Sequence, residues 1–171
     1  MDPGRRVVRR VEAGAGEPAV AGHSWGGALV QLLAFRRPDL VAGLVLVDPG
    51  HEEIEGLLPR PIQWGWRSMR AVFPDELHAD ALVTAAAFRE LRAAARPFPD
   101  VPVVVLSAAS GFPLPRRSRA GWTRLQAGLA AAVPQGRHVV VDGTGHNIPN
   151  NRPGIVADTI LAVAAQARAS G

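Results

Sequence analysis

Serine is a weak nucleophile until a base removes its proton and the backbone presents its hydroxyl. One stretch of this sequence has the residues for both tasks: Gly22-His23-Ser24-Trp25-Gly26-Gly27. It fits G-x-S-x-G, with an apolar run before it and a helical pattern after it, the context in which a serine sits on a sharp strand-to-helix turn. Gly22 and Gly26 carry no Cβ, so strand and helix can approach closely around that turn. The helix that follows places its positive end beneath the serine. The backbone N–H of Trp25 is then a candidate oxyanion donor, and Ser24 the candidate nucleophile.

Of the five histidines, His146 has the placement of a general base. It lies in Gly143-Thr144-Gly145-His146, a short loop directly after an apolar run. Such a loop end faces the same sheet edge as the turn that carries Ser24, where ligands of open α/β sheets bind. The others have plainer readings. His23 sits inside the turn and packs or tunes it, His138 begins a strand and is structural, His78 belongs to a helix surface or lid, and His51 is a neighbour of the site.

Four apolar runs must form the sheet that positions these residues: 18–22, 43–48, 101–107 and 137–142. Each is rich in Val or Leu and bounded by Gly, Pro or Asp, and continuous apolarity predicts strands covered on both faces of a parallel sheet. Helical patterns over 26–36, 122–132 and 153–168 separate or follow them, the last with Asn151 as N-cap and Pro153 in its first turn. Alternation of this kind predicts a three-layer, doubly wound, mostly parallel α/β domain spanning residues 1–171. The segment 51–99 breaks the rhythm. It has no clear strand, a helical piece over 75–95, and the aromatics Trp64, Trp66, Phe73 and Phe88. A connection this long predicts a helical cap or lid, with Trp64, Trp66 and Phe73 as candidate substrate-binding residues.

Composition removes several other chemistries. With no cysteine among 171 residues there is no thiol catalysis, disulfide or thiolate metal site. No His/Asp cluster has metal-ligand spacing, and no phosphate-binding glycine loop or dinucleotide fingerprint is present, so neither metal nor cofactor is expected. The isoelectric point near 11.3 looks like a nucleic-acid signal, but every basic residue is Arg, Tyr and Lys are absent, and net charge is only +4. Almost nothing titrates between histidine and arginine. Apart from Arg5, Arg6, Arg9 and Arg10 the charges are interspersed, so no nucleic-acid partner is expected. The apolar runs are strand-sized and no signal-peptide core follows the basic N-terminus, so a cytoplasmic protein without a membrane partner is expected.

The turn around Ser24, the Val47-Asp48-Pro49-Gly50-His51-Glu52 stretch and the Gly143-Thr144-Gly145-His146 loop together resemble the α/β-hydrolase family. The resemblance covers nearly the whole chain, and the order Ser, acid, His is also the family order. It implies that the four strands are the fifth to the eighth of that fold, the C-terminal half. The family usually takes the triad acid from the loop after the seventh strand, here 108–111, but no Asp or Glu occurs between Asp100 and Asp142. Some members take it from the end of the sixth strand, which here is Asp48. Glu52 and Glu53, an acid from elsewhere, or no acid at all are the alternatives, and Asp-Pro-Gly is also an ordinary turn.

The resemblance also implies strands ahead of residue 18 and a His-Gly loop that supplies a second oxyanion donor, and neither is visible in the sequence. Loss of one such donor costs on the order of 10²–10³ in rate. A sheet that starts at the Ser24 strand leaves an unpaired edge, which invites self-association. The expectation is therefore a partial hydrolase domain, marginally stable or associated, that cleaves an ester-like small molecule through an acyl-enzyme on Ser24. The alternative is a non-catalytic binding or scaffold protein on the same fold.

Overall fold

The computed structural model describes residues 9–11, 17–51, 53–61, 63–64, 86–91, 93, 98–110 and 116–170. The elements run in the order β1 (Arg9–Val11), β2 (Ala19–His23), α1 (Trp25–Arg36), a 3-10 turn (Pro38–Leu40), β3 (Gly43–Val47), α2 (Ile54–Leu57), β4 (Val103–Ala108), α3 (Arg116–Ala131), β5 (Gly136–Val141), α4 (Ile148–Asn151) and α5 (Pro153–Ser170). One sheet is formed, with spatial order β1-β2-β3-β4-β5. Strands β2 to β5 are parallel, in the registers Ala19↔Gly43, Leu44↔Val103 and Val103↔Gly136.

Side-chain alternation along the central strands builds two apolar layers. Leu44 and Leu46 of β3, with Val103 and Val105 of β4, pack against Val30 and Ala34 of α1, Leu129 and Ala130 of α3, and Val133 just after it. Val45 and Val47, with Val104 and Leu106, face the other way, against Ile148 of α4 and Val163 and Ala164 of α5. Because both faces are covered, every residue of β3 and β4 is buried. Each buried Val or Leu contributes on the order of 1.5–3 kcal/mol to holding the layers together. The result is a three-layer α/β fold whose four parallel strands, β2 to β5, all end at one edge.

Four expectations are corrected. The outer edge of β2 is not bare, because β1 pairs with it antiparallel, Arg10 opposite Val20. The strand at 136–141 is not covered on both faces: Val139 and Val140 are 39% and 44% exposed, since β5 is the last strand and only part of it lies under α3. Asn151 does not cap α5. It closes α4, and its side-chain amide donates to Thr144 Oγ1 at 3.2 Å. Helix α3 also starts earlier than the sequence pattern indicates, at Arg116. Within the 51–99 segment, residues 86–91 are helical, as expected for part of 75–95. His78, Trp66 and Phe73 lie outside the described residues, as does Glu52.

Candidate active site

The turn after β2 is built from backbone constraints. A Cβ on Gly22 would overlap the Gly26 carbonyl, and one on Gly27 would meet Pro49 Cβ at 2.5 Å. Strand, helix and the β3 turn therefore approach closer than any other residue type permits. Ser24 takes φ 55°, ψ −121°, a left-handed conformation that costs a non-glycine residue on the order of 1–3 kcal/mol. Backbone bonds over-determine it. Ser24 N–H donates to Val47 O at 3.0 Å, and Ser24 O accepts from Gly27 N–H at 3.0 Å and Gly50 N–H at 2.8 Å. Strain at one serine, held by three bonds, lifts its hydroxyl off the sheet edge.

The hydroxyl meets the loop that follows β5. His146 Nε2 lies 2.9 Å from Ser24 Oγ, and His146 Nδ1 lies 2.6 Å from Asp48 Oδ2. A carboxylate only accepts, so Nδ1 carries the ring proton and Nε2 is left to accept from the serine hydroxyl. Asp48 follows β3 with φ 40°, so the second non-glycine residue at positive φ also belongs to this cluster. Its side chain is fully buried, and its other oxygen, Oδ1, accepts from Trp122 Nε1 at 3.2 Å and from the Ala108 backbone N–H at 3.3 Å. A buried carboxylate is tolerated only with such donors.

Ser24, His146 and Asp48, expected from the sequence to work together, thus form one hydrogen-bonded chain across the ends of β2, β3 and β5. Glu53 is exposed, and its backbone N–H donates to His51 Nδ1 at 3.1 Å. Trp25 opens α1, where first-turn N–H groups have no acceptor within the helix. Trp64 stands 76% exposed. The aromatic of the 51–99 segment that reaches the site among the described residues is Phe88: a Cβ on Gly50 would lie 2.9 Å from its ring.

Two further histidines have partners the sequence does not reveal. His23 Nε2 lies 2.8 Å from the His146 carbonyl, with the two rings 4.8 Å apart and tilted by 38°. Burial, the largest influence, pushes the His23 pKa down. The bond to the His146 carbonyl opposes this, the nearby His146 ring adds to the lowering, and the Asp48 charge opposes it. The neutral ring therefore donates through Nε2 and pins the loop of His146. His138 Nε2 lies 2.7 Å from Ser107 Oγ, and burial alone lowers its pKa. Trp122 carries no local motif, and His23, although inside the G-x-S-x-G turn, has a partner that the turn does not reveal. Their partners are 74 and 123 residues away in sequence. Among the described residues no group of acidic and histidine side chains could hold a metal, and no helix is long and apolar enough to cross a membrane.

Residues 2–159 match the profile of the Alpha/beta hydrolase family. A 36-residue stretch is 58% identical to Lipase LipV of Mycobacterium tuberculosis, covering 21% of this chain and 14% of that one. The fold is similar to that of Est816, whose description is an N-acyl homoserine lactone degrading enzyme, with TM-score 0.54 and 15% identity over 86% of this chain and 67% of the other. It is also similar to MGS-MChE2, an alpha/beta hydrolase enzyme from the metagenome of sediments of the Mar Chica lagoon, Morocco. There the TM-score is 0.50 and the identity 17%, over 87% and 61%. The chain spans about half the length of another solved structure that it matches.

Proposed function

This chain belongs to the alpha/beta hydrolase family, and from that premise we propose that it is a serine hydrolase that cleaves an ester-like small molecule through an acyl-enzyme on Ser24. The observation that carries the reading is the continuous bond chain from Ser24 Oγ through His146 to the buried Asp48 carboxylate. His146 Nε2 takes the hydroxyl proton as Oγ attacks the carbonyl carbon, and the carbonyl oxygen becomes an oxyanion facing the Trp25 N–H. Asp48 stabilises the imidazolium without taking its proton. Collapse of the intermediate breaks the bond to the alcohol oxygen, which leaves with the proton from Nε2. Water then repeats the sequence and returns the free serine.

The stretch similar to a lipase supports a carboxylic ester as the substrate class. The segment 51–99 is proposed to act as a cap, with Phe88 as a source of apolar wall at the site. Its approach to Gly50 supports this, and helix 86–91 is also tied to α1 by the exposed ion pair of Arg36 with Glu90. The test of the reading is labelling with a fluorophosphonate probe. The unmutated chain should label once per molecule, at Ser24, and Ser24→Ala should not label. Equal labelling of the two would end it.

A further inference from the structure

Asp48 is held from two sides, and only one of them is the histidine. Its Oδ2 faces His146 Nδ1, while Oδ1 accepts from the Trp122 indole N–H and, at a longer 3.3 Å, from the Ala108 N–H. Trp122 is 3% exposed, so its N–H had to find an acceptor inside the protein. Any backbone carbonyl would have satisfied it. The acceptor it has is instead the carboxylate of the hydrogen-bonded chain, on the oxygen that His146 does not use.

The same helix reaches the next residue as well. Gln126, one turn after Trp122 on α3 and fully buried, donates through Nε2 to the Pro49 carbonyl at 3.1 Å. Side chains four apart lie on one face of a helix, so α3 presents a matched pair of donors to the Asp48–Pro49 turn. That turn needs holding, because Asp48 has positive φ and its own N–H is committed to Leu106 O at 2.6 Å. Trp122 is itself fixed by its packing with Leu58, Ile54, Leu57 and Leu125.

We infer that Trp122 is a positioning residue of the hydrolase site: its indole N–H anchors Asp48 Oδ1 so that Oδ2 is aimed at His146 Nδ1. The inference rests on the reading of Ser24, His146 and Asp48 given above. A carboxylate turns easily about its last torsion. With Oδ1 held by a well-placed donor, that rotation is blocked and the imidazole keeps its orientation. With only the Ala108 bond left on Oδ1, the plane of the carboxylate is held less firmly, and the imidazolium formed during attack loses part of its counter-charge.

Trp122→Phe keeps the ring packing and removes the donor. With p-nitrophenyl butyrate, kcat should fall about tenfold while KM stays within about twofold, the size expected for one hydrogen bond to a charged group felt in the transition state. The far-downfield proton resonance of His146 Nδ1–H should shift or broaden in the same variant, which a packing role would not cause. Wild-type kcat together with an unmoved resonance in a folded Trp122→Phe protein overturns the inference. Should that variant not fold, the indole N–H spectrum of the unmutated chain is compared with that of Asp48→Asn. One of the four tryptophan signals should move strongly, and replacing Trp25, Trp64 and Trp66 by Phe in turn identifies it as Trp122. Failure of the Trp122 signal to move overturns the inference on this route. Ser24→Ala is run alongside: if it hydrolyses as fast as the unmutated chain, the reading of Ser24 has failed instead, and the two spectra alone decide the role of Trp122.

Discussion

Two serine–histidine pairs occur among the described residues, and their heavy-atom distances barely differ: 2.9 Å for Ser24 Oγ to His146 Nε2, 2.7 Å for Ser107 Oγ to His138 Nε2. Their surroundings differ in every other respect. Ser24 sits on a left-handed turn beyond the end of β2, at the start of a twelve-residue helix, and is partly open to solvent. Ser107 lies within β4, is 1% exposed, and has ordinary strand backbone. His146 hydrogen-bonds to a buried carboxylate, whereas burial alone shifts His138, with no charged group contributing. A short distance between a hydroxyl and an imidazole is thus no measure of nucleophilicity. What separates the pairs is access, a buried carboxylate on the imidazole's other nitrogen, and the N-terminus of α1 beside Ser24.

That contrast is broken most directly by deleting each hydroxyl. Ser24→Ala should abolish fluorophosphonate labelling and ester turnover, leaving at most the residual of about 10³–10⁴ over water that binding and the oxyanion site supply. Ser107→Ala should leave labelling at the unmutated level and change only thermal stability. Residual stoichiometric labelling in Ser24→Ala, lost on adding Ser107→Ala, would reverse the assignment of the two pairs.

The next largest effect sharpens the role of the carboxylate. Asp48→Asn keeps the shape of the turn but replaces an acceptor-only group by an amide, which can present a donor to Nδ1 and favour the wrong tautomer of His146. Turnover should fall by about three to four orders of magnitude with the fold retained, since loss of the orienting carboxylate has that size in comparable triads. Glu53→Gln should change kcat by less than about twofold, because its exposed side chain lies outside this bond chain. Steady-state rates and circular dichroism on both variants check the pair. A Glu53→Gln loss as large as that of Asp48→Asn would place the acid elsewhere.

Features written in contiguous residues were legible in the sequence, and features made by distant residues meeting were not. The turn at Ser24 is local: two glycines two residues away on either side, an apolar run before and a helix after, all visible in one window. The four parallel strands were legible for the same reason, since β3 and β4 are buried throughout and read as unbroken apolar runs. Asp48 was reached only by resemblance, because Asp-Pro-Gly is an ordinary turn until His146 is known to lie beside it. The role of Trp122 and the partners of His23 and His138 could not be found this way, as nothing local distinguishes a buried indole that meets a carboxylate from one that meets a carbonyl. β1 was missed because three residues among arginines carry no strand period, and Asn151 was misread because a short helix, α4, precedes α5 with the same cap-like spacing.

The smallest expected effect tests the second pair as a structural element. Burial holds the pKa of His138 below the ordinary histidine value of 6.5. An unfolded chain takes up a proton at this residue as pH drops through that value, while the folded chain resists until lower pH. The unfolded state therefore binds more protons over this window, and by linkage stability falls as pH falls. Above the ordinary value the contribution is fully present, and below the lowered folded value it is spent. His23 is shifted in the same direction and adds to the trend. His138→Gln removes one titration and keeps a polar group within reach of Ser107 Oγ. The drop in melting temperature between about pH 7.5 and about pH 5 should then shrink, by no more than about 3 °C for a half-buried group in a chain of this size. Labelling at Ser24 should be unchanged at both pH values. A steeper fall in the variant would mean that His138 is charged in the folded protein, and that burial is not what sets its behaviour.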